Sequence, residues 1–205
     1  NGYIADTACT INLGKKNIDL VKASKEALDK ALPLFQPGTH INEIGKIIEE
    51  VITSYGFNPI KNLSGHEIKP YELHAGLTIP NHDNKDLTKL KENQVFAVEP
   101  FATTGDGYVK DTKPSGIYRI INLKNVRSGR EVLNFIYTNY KTLPFHKRYI
   151  INKFGDFKAG FGLRILEREE ILHQYAQLVE IANGLVSQAE HTVIVKDKPI
   201  ITTKI

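Results

Sequence analysis

Four polar side chains stand in apolar, strand-forming stretches of the sequence: Asp6, His66, Glu99 and Glu190. Glu99, for example, is embedded in the run Val-Phe-Ala-Val-Glu-Pro-Phe. A carboxylate buried in such surroundings costs several kcal/mol unless it is protonated, paired or bound to a cation. Three carboxylates and one imidazole suit Mn, Fe, Co or Zn better than Mg or Ca, because the softer ions accept a nitrogen ligand. Together these residues could therefore form a transition-metal centre.

Each of these residues also has an ordinary structural interpretation. An acidic residue in a strand is more often solvent-facing or half of an ion pair, and His66 after Ser64-Gly65 is more often a turn or core residue. The four positions are 60, 33 and 91 residues apart, and this spacing does not by itself establish a site. Residue types alone indicate a candidate metal centre and leave the alternatives open.

The period of the apolar residues predicts the elements that must position these side chains. Residues 3–13 are rich in β-formers and predict a strand. Two amphipathic helices are predicted next, at about 17–35 and 41–55, because apolar residues recur at helical spacing. Between 59 and 104 the helical period disappears, and short β-like runs alternate with glycine, proline and asparagine.

The character of the sequence changes again after residue 107. The pattern Ser128-Gly-Arg-Glu131 is a capping box and predicts the start of a helix. Two more helical stretches are predicted, at 145–153 and 163–172. We therefore predict a helical insertion at 108–176, within a core made of residues 1–107 and 177–205.

Strand-like sequence returns after this insertion. Strands are predicted at 178–181, 185–195 and 200–203, and Asn183-Gly184 predicts a hairpin turn between the first two. The overall prediction is an α+β protein in which β-rich sequence surrounds a helical insertion.

The bulk composition narrows the class of protein. With 205 residues, 41% hydrophobic and 24% charged, the chain has the composition of a globular protein. Its single cysteine rules out an internal disulfide and fits the cytoplasm. No apolar run is long enough to span a bilayer, so no membrane partner is expected. The sequence begins inside a predicted strand without Met, and we expect an upstream N-terminal segment to complete the fold.

Six short strings carry a resemblance to a known family. They are Gly2-Tyr-Ile-Ala-Asp-Thr-Ala8, Asn62-Leu-Ser-Gly-His66, Leu73-His-Ala-Gly76, Ile79-Pro-Asn81, Phe96-Ala-Val-Glu-Pro-Phe-Ala-Thr103 and Gln188-Ala-Glu-His-Thr192. In this order they resemble the successive signatures of the methionine aminopeptidases, from the first residue to about residue 204. The resemblance implies the pita-bread (creatinase-like) fold, a curved antiparallel sheet covered by helices. It also implies removal of the initiator methionine from nascent proteins, by a metal-activated water that hydrolyses the first peptide bond.

The resemblance implies roles for individual residues. Asp6 and Glu190 match ligands shared by two divalent ions (Co, Mn, Fe or Zn), whereas His66 and Glu99 match ligands of one of them. Glu99 would also carry the proton, and His74 would bind the substrate near the scissile bond. Tyr175 would help to line the pocket for the methionine side chain. The family's first aspartate ligand and one substrate histidine would lie before residue 1, so activity is expected to need the upstream segment.

The long interval between Glu99 and Glu190 resembles the second type of methionine aminopeptidase, whose insertion has a winged-helix-like shape. An alternative function is a catalytically silent pita-bread protein that binds ribosome or nucleic acid. Basic residues of the insertion keep a ribosome contact open for either function: Arg127, Arg130, Lys141, Lys147, Arg148 and Lys153. Such a charge run is usually a solvated face.

Overall fold

The computed structural model describes residues 2–14 and 16–204. These residues form two compact units. The first unit comprises the described residues up to Lys110 and from Val179 onward, and the second is Asp111–Leu178. Within the described part of the chain, no helix is long and apolar enough to cross a membrane.

Two helices of the first unit cover its sheet. Helix α1 is Ile18–Ala31, followed by a 3-10 turn at Leu32–Leu34, and helix α2 is Ile41–Ser54. The predicted first helix changes character near its end because Pro33 lacks the N–H that an α-helix needs. Helix α2 ends as predicted, since Gly56 adopts a φ of 79° and its N–H donates to the carbonyl of Thr53.

The first unit contains an antiparallel sheet built mostly from short strands. Its members are β1 Ala8–Cys9, β2 Asn58–Pro59, β3 Ser64–Glu67, β4 Thr78–Pro80, β5 Val95–Val98, β6 Phe101–Thr103, β10 Val186–Ile194 and β11 Ile200–Ile201. The strand order is β2-β6-β10-β5-β3-β4, and β1 and β11 also pair with β10. Strand β10 is therefore the central member, with β1, β5, β6 and β11 all bonded to it.

The segment predicted as a strand at 3–13 is a regular strand only at β1. Threonine side chains replace part of the missing main-chain ladder. The hydroxyl of Thr7 donates to the carbonyl of Glu190 at 2.8 Å, and that of Thr10 donates to the carbonyl of Gln188 at 2.9 Å. The prediction of a long strand was wrong because strand propensity does not show whether a neighbouring carbonyl will bond to a main-chain N–H or to a threonine hydroxyl.

The apolar faces of α1 and α2 pack on one face of this sheet. Phe35 and Phe96 are fully buried there, with ring centroids 5.8 Å apart. The aliphatic part of the core comes mainly from α2, whose buried isoleucines recur at helical spacing: Ile41, Ile44, Ile48 and Ile52. This packing gives the short strands a rigid support.

The second unit combines a three-stranded sheet with three helices. The strands are β7 Val109–Ile120, β8 Phe145–His146 and β9 Leu172–Glu180, in the order β8-β7-β9. The helices are α3 Arg130–Tyr140, α4 Lys147–Phe154 and α5 Asp156–Arg168. They enclose a separate core that includes Ile136, Phe145 and Leu166.

The insertion was predicted from its helices alone, and the structure adds long strands at both of its ends. From Gly116 to Ile120 buried and exposed residues alternate, which is the period of a strand with one buried face. The predicted capping box is wrong. Gly129, not Ser128, is the N-cap of α3, because its φ of 78° turns the chain into the helix one residue later.

The predicted hairpin between β9 and β10 is also wrong, although the turn itself forms. Asn183 adopts a φ of 61°, but among the described residues β9 belongs to the three-stranded sheet and β10 to the larger sheet. The carboxylate of Glu180 organises this turn. It accepts hydrogen bonds from the backbone N–H groups of Asp106, Ala182 and Gly184 at 2.7–2.8 Å.

These bonds lower the pKa of Glu180 from its ordinary value, and the N–H of Gly184 is the largest contributor. Only 2% of the residue is exposed. A lowered pKa in the folded state stabilises the protein above the unfolded pKa, about 4.3 for a glutamate. That contribution is lost as the pH falls through the lower folded pKa.

We therefore predict that Glu180→Gln lowers the free energy of unfolding at pH 7, and that its difference from wild type shrinks below about pH 4. Chemical denaturation at a series of pH values measures this. Glu72→Gln, at an exposed glutamate of the first unit, to which Glu180 also belongs, is the matched control and should be neutral. If the difference in free energy of unfolding between Glu180→Gln and wild type were the same at pH 3.5 and pH 7, the role of Glu180 would be contradicted.

Candidate metal centre

Three strands and the segment before β1 bring the four predicted ligands to one place. Glu190 lies on the central strand β10, opposite Ala8 of β1. His66 lies on β3, opposite Ala97 of β5, and Glu99 follows directly after β5. The close spacing of β3 and β5 depends on Gly65, because a Cβ there would come 2.3 Å from the carbonyl oxygen of Ala97.

The distances describe one cluster around the imidazole of His66. Its Nε2 atom lies 3.6 Å from Oε1 of Glu99 and 3.8 Å from Oδ2 of Asp6. Asp6, His66 and Glu190 each offer a ligand atom, and these atoms all lie within 4.8 Å of one another. All four side chains therefore lie close together.

The cluster is largely shielded from water. Glu190 is 5% exposed and His66 6% exposed, whereas the side chains of Glu99 and Asp6 are 15% and 33% exposed. Burial, followed by repulsion from Glu190 and Asp6, raises the pKa of Glu99 to about 9. Burial, followed by repulsion from Asp6, raises the pKa of Glu190 to about 7. Burial lowers the pKa of His66, so the imidazole remains neutral and able to act as a ligand.

This donor set fits a divalent cation. Three carboxylates face one another, and among residues 2–14 and 16–204 no lysine or arginine nitrogen lies within 4.0 Å of any of them. Neighbouring buried carboxylates without a countercharge repel one another strongly. A transition-metal ion would supply the missing positive charge and match the mixed oxygen and nitrogen ligands.

The backbone of Asp6 is fixed by a threonine of β10. The N–H of Asp6 donates to the hydroxyl of Thr192, and that hydroxyl donates to the carbonyl of Asp6, both at 2.8 Å. Thr192 is itself 2% exposed. A side chain on the central strand therefore sets the position of a ligand that lies outside the regular ladder.

His74 lies beside the cluster rather than inside it. Its ring is edge-on to that of His66, with centroids 4.4 Å apart, and the residue is exposed. The loop that carries it is anchored to β3, because the N–H of Ala75 donates to the carbonyl of Glu67 at 2.8 Å. This position suits a group that meets a substrate at the open side of the cluster.

Tyr175 lies on β9 in the second unit. Its carbonyl accepts a hydrogen bond from the hydroxyl of Ser115, and its ring is edge-on to His173 at 5.3 Å. The phenol oxygen is buried, and burial raises its pKa. Its role in binding methionine stays a prediction from the sequence.

Two polar residues of β10 that contact the predicted ligands, Gln188 and Thr192, were not predicted from the sequence. Nε2 of Gln188 donates to Oε2 of Glu99 at 3.1 Å and to Oε2 of Glu190 at 3.4 Å. A strand period of two was the available signal, since residues 188, 190 and 192 must share one face.

Comparison with known proteins identifies the family. The profile described as "Metallopeptidase family M24" matches residues 1–197. A methionine aminopeptidase from Pyrococcus abyssi is 47% identical over 211 residues, which cover the whole chain and 70% of that protein. The methionine aminopeptidase of Archaeoglobus fulgidus is 46% identical, with the whole chain and 69% of that protein covered.

Solved structures agree in fold at lower identity. A thermophilic Arx1 superposes with a TM-score of 0.76 at 19% identity, covering 96% of this chain and 61% of that one. The methionine aminopeptidase of Thermotoga maritima gives 0.64 at 20% identity, covering the whole chain and 59% of that one. The chain thus spans about three fifths of these two structures. They confirm the predicted pita-bread architecture of antiparallel sheet and covering helices.

The site and the comparisons point to the same family. Three carboxylates and an imidazole form a cluster that suits a cation, and the relatives match this chain from end to end. The chain belongs to metallopeptidase family M24 and, within it, to the methionine aminopeptidases.

Proposed function

We infer that the chain is a metal-dependent aminopeptidase that hydrolyses the first peptide bond of proteins and peptides with an N-terminal methionine. The observation that carries this function is the convergence of Asp6, His66, Glu99 and Glu190. Among the described residues, no lysine or arginine nitrogen lies within 4.0 Å of their carboxylates. It is supported by 42–47% identity to archaeal methionine aminopeptidases. The alternative of a ligand-free binding protein receives no support, because every ligand expected in this span is present.

A second proposal concerns how many ions bind and which ligands they share. We propose two divalent ions from the set Mn, Fe, Co and Zn, with Asp6 and Glu190 shared between them. His66 and Glu99 would complete the site of one ion, which is supported by their 3.6 Å separation. A protein of this family with a mixed nitrogen and oxygen donor set is expected to prefer such ions over Mg or Ca.

When bound, a divalent cation would acidify water and polarise the carbonyl of the first peptide bond. Glu99 is the residue placed to accept a proton from the attacking water and to pass it to the leaving amine. Its Oε2 is held by Gln188, while its Oε1 faces His66. His74, next to His66 and exposed, is placed to donate a hydrogen bond to the substrate carbonyl oxygen.

We predict that Glu99→Gln weakens Co²⁺ binding and lowers methionine release from a Met-Ala peptide by about 10²–10⁴-fold, because both a ligand charge and the proton carrier are lost. Calorimetric titration measures the first effect. A free-methionine assay, here and below with the expected upstream segment supplied, measures the second. Glu50→Gln, at an exposed glutamate of α2, should match wild type. Turnover at the wild-type rate in Glu99→Gln would rule out this mechanism.

We predict that His74→Ala lowers kcat by about 10²–10³-fold and leaves Co²⁺ affinity within about twofold, because His74 stabilises the reacting carbonyl and is not a ligand. The control is His40→Ala, which removes only a surface pair with Glu43. A variant that lost metal affinity in parallel with activity would instead make His74 part of the metal centre.

A third proposal concerns partners. We propose that the second unit contacts ribosomal RNA and that the substrate is the nascent polypeptide in the cytoplasm. Residues 111–178 contain twelve lysines and arginines against six acidic residues, a net +6, whereas the whole chain carries +4. The rest of the chain is therefore net −2, and the net positive charge comes from the second unit. Lys124, Arg127 and Arg130 are exposed there.

We predict that Arg127→Glu combined with Arg130→Glu reduces cosedimentation with ribosomes at low salt, since phosphate contacts dominate such binding. Binding by the wild type should fall as the salt concentration rises. The matched control is Lys22→Glu with Lys46→Glu, at exposed positions of the first unit. Equal loss of cosedimentation in both double variants would show that only the net charge matters. No loss in either double variant would refute the contact.

A further inference from the structure

A neutral amide lies between two of the carboxylates of the candidate metal centre. Nε2 of Gln188 donates one hydrogen bond to Oε2 of Glu99 at 3.1 Å and another to Oε2 of Glu190 at 3.4 Å. Both N–H groups of the amide are therefore used on acidic side chains. The contact connects a residue after β5 with a residue on β10, the strand to which both β5 and β6 are bonded.

The backbone of Gln188 is held on both of its edges. On one side it pairs with Phe101 of β6. On the other side its N–H donates to the hydroxyl of Thr10 at 2.7 Å, and its carbonyl accepts from that hydroxyl at 2.9 Å. Because the backbone of Gln188 is fixed, the length of its side chain determines the positions of the two carboxylate oxygens that the amide bonds.

The amide selects which oxygen of Glu99 remains available. With Oε2 engaged by Gln188, Oε1 is the atom that lies 3.6 Å from Nε2 of His66. The donor is also uncharged. A lysine or arginine at this position would neutralise the carboxylates and repel a cation, whereas glutamine orients them and leaves their charge for the ion.

We propose that Gln188 is a positioning residue that fixes the orientation of Glu99 and Glu190 for cation binding, an inference that rests on the proposed metal-dependent function. Gln188 does not bind the ion itself. It holds one oxygen of each carboxylate so that the other oxygens are directed into the cluster. Partners of this kind tune a metal site through the orientation of its ligands.

The test replaces the amide with a side chain of similar length that cannot donate. Gln188→Met should weaken Co²⁺ binding to the chain by about 10–100-fold in calorimetric titration. The absorption spectrum of bound Co²⁺ should also change, because the ligand geometry changes. In the methionine-release assay kcat should fall, with the KM for a Met-Ala peptide within about twofold. Gln36→Met, at an exposed glutamine, should match wild type.

A second variant, Gln188→Asn, keeps the amide but withdraws it by one methylene group, and it should weaken Co²⁺ binding as well. Wild-type affinity and an unchanged Co²⁺ spectrum in either folded variant would overturn the proposal. A lowered melting temperature with an unchanged Co²⁺ spectrum would also overturn the proposal, since it would show that Gln188 has a structural role only. If Glu99→Gln loses Co²⁺ while Gln188→Met retains it, only the positioning role fails. Absence of Co²⁺ binding by the wild type would overturn the proposed function as well.

Discussion

The candidate site of this chain depends on one constraint, the convergence of three carboxylates on one imidazole. Glu99 and Glu190 lie beside Asp6 in surroundings that raise the pKa of Glu99 to about 9 and that of Glu190 to about 7. Among the described residues, no lysine or arginine nitrogen lies within 4.0 Å of these carboxylates, and their basic neighbour is the imidazole of His66. Such a cluster is costly unless a cation completes it, and its convergence is therefore best explained by metal binding.

The central strand β10 supplies most of the positioning. Alternation along the strand puts Gln188, Glu190 and Thr192 on one face, where they contact the other acidic ligands or their backbone. The opposite face packs on α1, where the hydroxyl of Ser187 donates to the carbonyl of Leu20 at 2.6 Å. One strand thus joins the helix layer to the cluster, so the burial of one face fixes the register of the other.

The sequence singled out the acidic residues of the cluster more readily than it predicted the surroundings that hold them. Glu99 and Glu190 could be found because a carboxylate in an apolar strand needs compensation, and the ordered motifs identified the family. The extended segment around Asp6 was mistaken for a strand because threonine hydroxyls, rather than a main-chain ladder, hold it to β10. The role of Gln188 depends on a contact across the sheet with Glu99, 89 residues away, and local sequence patterns contain no such information.

The most direct measurement is anomalous X-ray diffraction from crystals of the chain soaked with Mn²⁺. The account predicts an anomalous peak within about 2.5 Å of Nε2 of His66 and of carboxylate oxygens of Asp6, Glu99 and Glu190. The peak should be missing in crystals of Glu99→Gln grown and soaked in the same way. An ion bound only elsewhere, with the three carboxylates still facing one another without a cation, would contradict the account.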